Sequence, residues 1–174
     1  MSVEISSPLA GWVTPIADVA DPVFADAMLG DGIAIDPVEG RLLAPGAGRV
    51  DNVHPAGHAV TLTLDSGAVL LMHIGLDTVG LGGKGFAPRV GEGDRVAAGD
   101  VLIDFDLDSL ARTARSLITP VIVTNGEAFA LSDRAAEGTI AAGDALMALE
   151  SVAGKGEAAP VGDEAPSVTR TLRL

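Results

Sequence analysis

The chain carries three histidines, His54, His58 and His73, and no cysteine. Neutral imidazole has a nucleophilic nitrogen near pH 7, so these residues are the first candidates for chemistry. His58 and His73 belong to two apolar stretches, 58–64 and 69–73, separated by Asp65-Ser66-Gly67-Ala68. That separator is turn chemistry, and the pair of stretches predicts a β-hairpin. A two-residue loop centred on Ser66-Gly67 would place Val60 opposite His73 and His58 opposite Gly75. Side chains alternate faces with period two, so His58, Val60, Leu62 and Leu64 would share a face with Val69, Leu71 and His73. The two histidines would then be diagonal neighbours at the open end of the hairpin, with Cα atoms roughly 7–8 Å apart. A three-residue loop would instead put them on opposite faces.

Such a pair suits phosphoryl transfer. One imidazole can attack an incoming phosphoryl group in line, while the other donates a hydrogen bond to oxygens on which negative charge collects. The same pair could hold zinc, given at least one more protein ligand, for which Asp77 and His54 are the nearest options. It could also be purely structural. Spacing alone leaves all three uses open.

The elements that must position the pair are short. Apolar runs at 32–35, 59–64, 69–74, 101–105 and 120–123 have strand lengths and are bounded by turn signals such as Pro45-Gly46, Gly82-Gly83 and Gly99-Asp100. Residues 108–116 form the best helix candidate, with a shorter helical turn at 24–28. The fold class is therefore mainly β, an antiparallel sandwich or barrel-like packing of sheets with one or two short helices. A stretch at 92–102 is echoed at 137–146, each with a Gly-Asp turn ahead of an apolar strand, which points to a duplicated architecture. The folded domain is expected over residues 1–151. Residues 152–174, rich in Ala, Gly, Pro and Glu, are expected to form a flexible tail.

Bulk composition narrows the function. Hydrophobic residues make up 48% of the 174 residues and aromatics 3%, so the core must be aliphatic. A formal charge of -13 argues against nucleic acid and anionic lipid, and permits a basic protein partner. No signal pattern or long apolar span occurs, which predicts a cytoplasmic protein without membrane insertion. Without a His-x-His pair, a zinc peptidase ranks low, and without a lysine in the hairpin turn so does a lipoyl-type carrier. A regulatory binding role is compatible with phosphorylation of a docking patch.

The string Leu70-Leu71-Met72-His73-Ile74-Gly75-Leu76-Asp77-Thr78-Val79, following His58-Ala59-Val60 and continuing into Leu81-Gly82-Gly83-Lys84-Gly85-Phe86, resembles the phosphorylation-site segment of the glucose-type enzyme IIA family of the bacterial sugar phosphotransferase system. Ser7-Pro8-Leu9-Ala10-Gly11, Gly30-Asp31-Gly32, Asp104-Phe105-Asp106-Leu107 and Thr119-Pro120-Val121 extend the resemblance over about residues 5–150. It implies a duplicated β-sandwich in which His73 is the phosphoacceptor and His58 its supporting histidine. It implies a domain charged by the histidine-containing phosphocarrier protein and discharged to an enzyme IIB domain; a monomer is expected, with no required cofactor and zinc at His58 and His73 as the alternative. Phe24, Met28, Leu29 and Leu71 fall where the family places its apolar docking surface, and Asp21 and Asp77 where it places acids facing basic partner residues. Two features depart from the family. Ala56 stands where a threonine is common, and no amphipathic leader precedes the first strand. His54 has no family role and is expected on a surface loop. The sugar is not encoded in such a domain.

Overall fold

The computed structural model describes residues 2–76 and 78–152. In chain order its elements are β1 (Ser2–Ser6), β2 (Gly11–Pro15), α1 (Pro22–Ala25), β3 (Asp31–Pro37), β4 (Arg41–Leu43), β5 (Gly48–Val53), β6 (Ala59–Leu64), β7 (Val69–His73), β8 (Phe86–Pro88), β9 (Arg95–Val96), β10 (Val101–Phe105), α2 (Leu107–Thr113), β11 (Thr119–Val123), β12 (Phe129–Ser132), β13 (Gly138–Ile140) and β14 (Ala145–Ser151). Single 3₁₀ turns lie at Ile16–Asp18 and Thr78–Leu81. No described helix is long and apolar enough to cross a membrane.

The strands form three antiparallel sheets. An eight-stranded sheet runs β13-β2-β3-β11-β7-β6-β5-β9, and two three-stranded sheets run β1-β14-β12 and β4-β10-β8. One aliphatic cluster joins all three. It takes Ile5 and Leu149 from the first small sheet, Leu42 and Leu102 from the second, and Ile33, Leu62, Leu70 and Val121 from the large one. This is a mainly β sandwich, as the short apolar runs predict. Removing these aliphatic faces from water is the main drive for the packing.

The strand alternation sorts side chains cleanly on β6 and β7. Val60, Leu62, Leu64, Leu70 and Met72 are buried, whereas Thr61, Thr63, Val69, Leu71 and His73 are half-buried on the opposite face. β11 lies beside β7 and is buried along its whole length. Its Ile122 joins a second, smaller cluster with Ile16, Val19, Phe24, Ala34 and Leu76, and Leu71 packs against it. The segment containing α1 therefore covers part of the outer face on which His73 stands.

The helices start earlier than the apolar pattern suggests. α1 begins at Pro22 because the Asp21 carboxylate accepts from the Val23 N–H at 3.0 Å and Pro22 needs no partner for its nitrogen. It stops before Met28, with Ala27 at φ 55°. α2 begins at Leu107 under an Asp106 cap that accepts from the Ser109 N–H at 3.1 Å, and ends at Thr113 rather than 116. The body extends through Val152, whose N–H donates to the Ala128 carbonyl at 2.9 Å. The remainder of the tail expected at 152–174 lies outside the described residues.

Candidate functional site

The hairpin bearing the histidines has a three-residue loop, so the register expected from a two-residue loop is corrected. Ala59, not Val60, lies opposite His73, and Val60 lies opposite Met72. The Leu64 N–H donates to the Ala68 carbonyl at 2.8 Å, closing a loop of Asp65, Ser66 and Gly67 with Gly67 at φ 98°. A distant residue clamps this loop. Asn125 accepts from the Val69 N–H at 2.9 Å and donates to the Gly67 carbonyl at 3.0 Å. By alternation, His58 would then face away from His73, and it does not share a strand face with Leu71 and His73 as expected. The rings nevertheless meet. His58 precedes the first residue of β6, and its imidazole centroid lies 4.7 Å from that of His73, edge to face at 79°. His58 still takes part in the β6–β7 ladder, its carbonyl accepting from the Ile74 N–H at 2.8 Å, so the pleat by itself does not account for the contact between the rings.

His73 is held by the turn that follows it. Its Nδ1 lies 2.8 Å from the Gly75 carbonyl oxygen. A carbonyl can only accept, so Nδ1 carries the hydrogen and Nε2 keeps its lone pair. Gly75 has φ 80°, and a Cβ there would lie 2.6 Å from Thr78 Cγ2 and 2.7 Å from the Ser116 carbonyl oxygen. Only glycine fits that turn. Thr78 is fully buried and donates its hydroxyl to the Ile74 carbonyl at 2.6 Å, while the Leu76 N–H donates to Ser116 at 2.9 Å. These residues build the acceptor of the His73 hydrogen bond.

His58 is 2% exposed, and among the described residues its Nδ1 has no hydrogen-bond partner. Burial, then the neighbouring His73 and His54 imidazoles, lower its pKa from 6.5 to about 4. Burial also lowers the His73 pKa, opposed by its backbone hydrogen bonds and, more weakly, by the Asp21 carboxylate. Both rings are thus neutral near pH 7.

The other expected site residues divide. Phe24 is 5% exposed, with its ring 5.4 Å from that of His73. Met28 and Leu29 are 69% and 42% exposed, and Leu71 is half-buried. Asp21 caps α1 near His73. Asp77 lies outside the described residues. Among the described residues, no group of three or more His, Asp or Glu is placed to hold a metal ion.

His54 is not the surface-loop residue expected. It is half-buried, and its ring lies 4.5 Å from that of His58. Phe86 walls the other ring at 6.2 Å. The sequence offered His54 only as a zinc-ligand option or a loop residue and Phe86 only as part of the family string, and strand alternation places neither beside His58.

Comparison with known proteins gives the same picture. The structure matches that of glucose permease IIA from Mycoplasma capricolum with a TM-score of 0.80 and 36% identity, covering 85% of this chain and 96% of that one. The family described as phosphoenolpyruvate-dependent sugar phosphotransferase system, EIIA 1, matches residues 3–129. The chain, with its neutral histidine pair on a duplicated β framework, belongs to that family and is a phosphotransfer component of a sugar phosphotransferase system.

Proposed function

We propose that His73 accepts a phosphoryl group on Nε2 from the histidine-containing phosphocarrier protein and passes it to an enzyme IIB domain. The observation that carries this reading is the hydrogen bond from His73 Nδ1 to the Gly75 carbonyl, which leaves Nε2 as the free nucleophile of a half-buried, neutral ring. In the transfer, the donor's N–P bond breaks, and that nitrogen recovers its electron pair. The Nε2–P bond forms while the proton stays on Nδ1, hydrogen-bonded to the Gly75 carbonyl, so the ring carries positive charge beside the phosphoryl oxygens.

His58 stands edge to face with His73 and supplies the second function. Its buried Nδ1 lacks a partner, and an unpaired lone pair inside costs less than an unpaired N–H. The proton therefore resides on Nε2, from which it can be donated to the phosphoryl oxygens. Met28, Leu29 and Leu71 offer apolar docking area beside Asp21, which suits a basic partner. The relay operates in the cytoplasm, where such carriers are charged.

Two variants test the assignment. His73→Ala should abolish acceptance from the phosphorylated carrier. His58→Gln should still accept but deliver poorly to the IIB domain. Normal delivery by the second variant would remove His58 from the mechanism.

A further inference from the structure

His54 ends the chain's exit from β5, and three hydrogen bonds hold it there. Its N–H donates to the Ala59 carbonyl at 2.9 Å, its carbonyl accepts from the Gly57 N–H at 2.7 Å, and its Nδ1 accepts from the Ala56 N–H at 3.0 Å. The last bond settles the side chain as well as the tautomer. Nδ1 is the acceptor, so the ring hydrogen is on Nε2. The imidazole is pinned to its own turn and faces the ring of His58 at 4.5 Å and 57°.

His58 needs such support. A histidine ring is ordinarily oriented by a hydrogen bond on the nitrogen not used in chemistry. His58 has none among the described residues, and Ala56, two residues before it, has no hydrogen-bonding side chain. Its ring lies between the imidazoles of His54 and His73, with Phe86 as a further wall. Orientation must come from packing.

We infer that His54 is a positioning residue: fastened by its Nδ1 to the 54–57 turn, it backs the His58 imidazole and holds that ring toward His73. The step it serves, phosphoryl delivery, rests on the relay proposed above; the contact itself does not. Electrostatics agree with a cluster that must stay neutral, since His54 and His73 each disfavour a proton on His58, and Asp21 is the acid that acts on His73.

Two variants of the full chain separate ring contact from turn closure. His54→Asn keeps an acceptor for the Ala56 N–H but removes the ring; His54→Phe keeps a ring and loses the acceptor. The first readout is the His58 ring titration by NMR in the unphosphorylated protein. In His54→Asn its midpoint should rise from about 4 toward 6.5, and it should rise less in His54→Phe. The second readout is transfer with purified partners. Acceptance by His73 should change little, while delivery to the IIB domain should slow roughly tenfold in His54→Asn, as for a misplaced catalytic group. An unchanged His58 titration in both variants would overturn the inference. A wild-type chain that takes no phosphoryl group would instead overturn the relay, leaving the titration to judge His54 alone. If His54→Asn does not fold, His54→Gln, which also removes the ring, takes its place: a raised His58 midpoint supports the inference and an unchanged one overturns it.

Discussion

The eight-stranded sheet has two halves that meet at β11 and β7, and each half repeats the plan of the other. β13-β2-β3-β11 mirrors β9-β5-β6-β7, and each continues into a three-stranded sheet, through β14 between β1 and β12 or through β10 between β4 and β8. Even the turns match. Asp100 accepts from the Ala97 N–H at 2.9 Å and Asp144 from the Ala141 N–H at 3.1 Å. The Gly99 and Gly143 N–H groups donate to Ala44 and Ser7 at 2.9 Å each. The difference lies at one end of the inner strand pair. Where β6 and β7 bring His58 and His73 together, β3 and β11 bring Gly30 and Val123. A Cβ on Gly30 would lie 2.1 Å from the Val123 carbonyl oxygen, so that end has no room for a side chain. Asp31 there pairs with Arg134 on the surface. The duplicated frame is therefore indifferent to chemistry. In the relay proposed above, function resides in the few side chains placed at one of its two ends.

That comparison can be broken most severely by removing the proposed nucleophile. His73→Ala should eliminate phosphoryl acceptance while leaving the circular dichroism spectrum and melting temperature close to wild type, since the other half has no histidine to substitute for it. Next come the two glycines. Gly75→Ala and Gly30→Ala should each cost roughly 2–4 kcal/mol in denaturant unfolding, through positive φ and close contact. Only Gly75→Ala should also slow acceptance beyond what its unfolded fraction explains, because it alone moves the acceptor of the His73 Nδ1–H bond. Equal effects of the two on transfer would erase the proposed asymmetry.

Acidity gives a smaller effect with a definite sign. His58 binds a proton in the unfolded chain near pH 6.5 but in the fold only near 4. Its neutral burial therefore contributes fully above about pH 6.5, and that contribution is lost as pH falls toward 4. The loss amounts to roughly 3 kcal/mol at 1.4 kcal/mol per pH unit. Unfolding measured between pH 7 and 4.5 should show a shallower decline in His58→Gln. The smallest effect belongs to the silent end. Arg134→Ala should change stability by less than about 1 kcal/mol, as exposed ion pairs do, and leave transfer unchanged.

Much of this frame was legible because apolar runs stand between glycine, proline and aspartate turns. β6 and β10 have the bounds that their patterns predict, and the echo of residues 92–102 in 137–146 corresponds to β9-β10 and β13-β14. The hairpin register was not legible. It depends on Asn125, more than fifty residues from the loop it clamps, and on a left-handed Gly67 that fits a three-residue loop as well as a two-residue one. The histidine pair was expected together by alternation, yet alternation in the true register would separate it, and the rings meet all the same at 4.7 Å. His54 was misplaced for the same reason. Its role depends on a side-chain hydrogen bond inside a four-residue turn, and periodicity carries no information about that.

The most direct test is intact-mass analysis of the full chain after incubation with enzyme I, the phosphocarrier protein and phosphoenolpyruvate, followed by mapping of the acid-labile group. One phosphoryl group on His73 Nε2 is the predicted result. No mass gain with demonstrably active upstream proteins, or a phosphoryl group on His58 or His54 instead, would contradict the assignment of His73 as the acceptor.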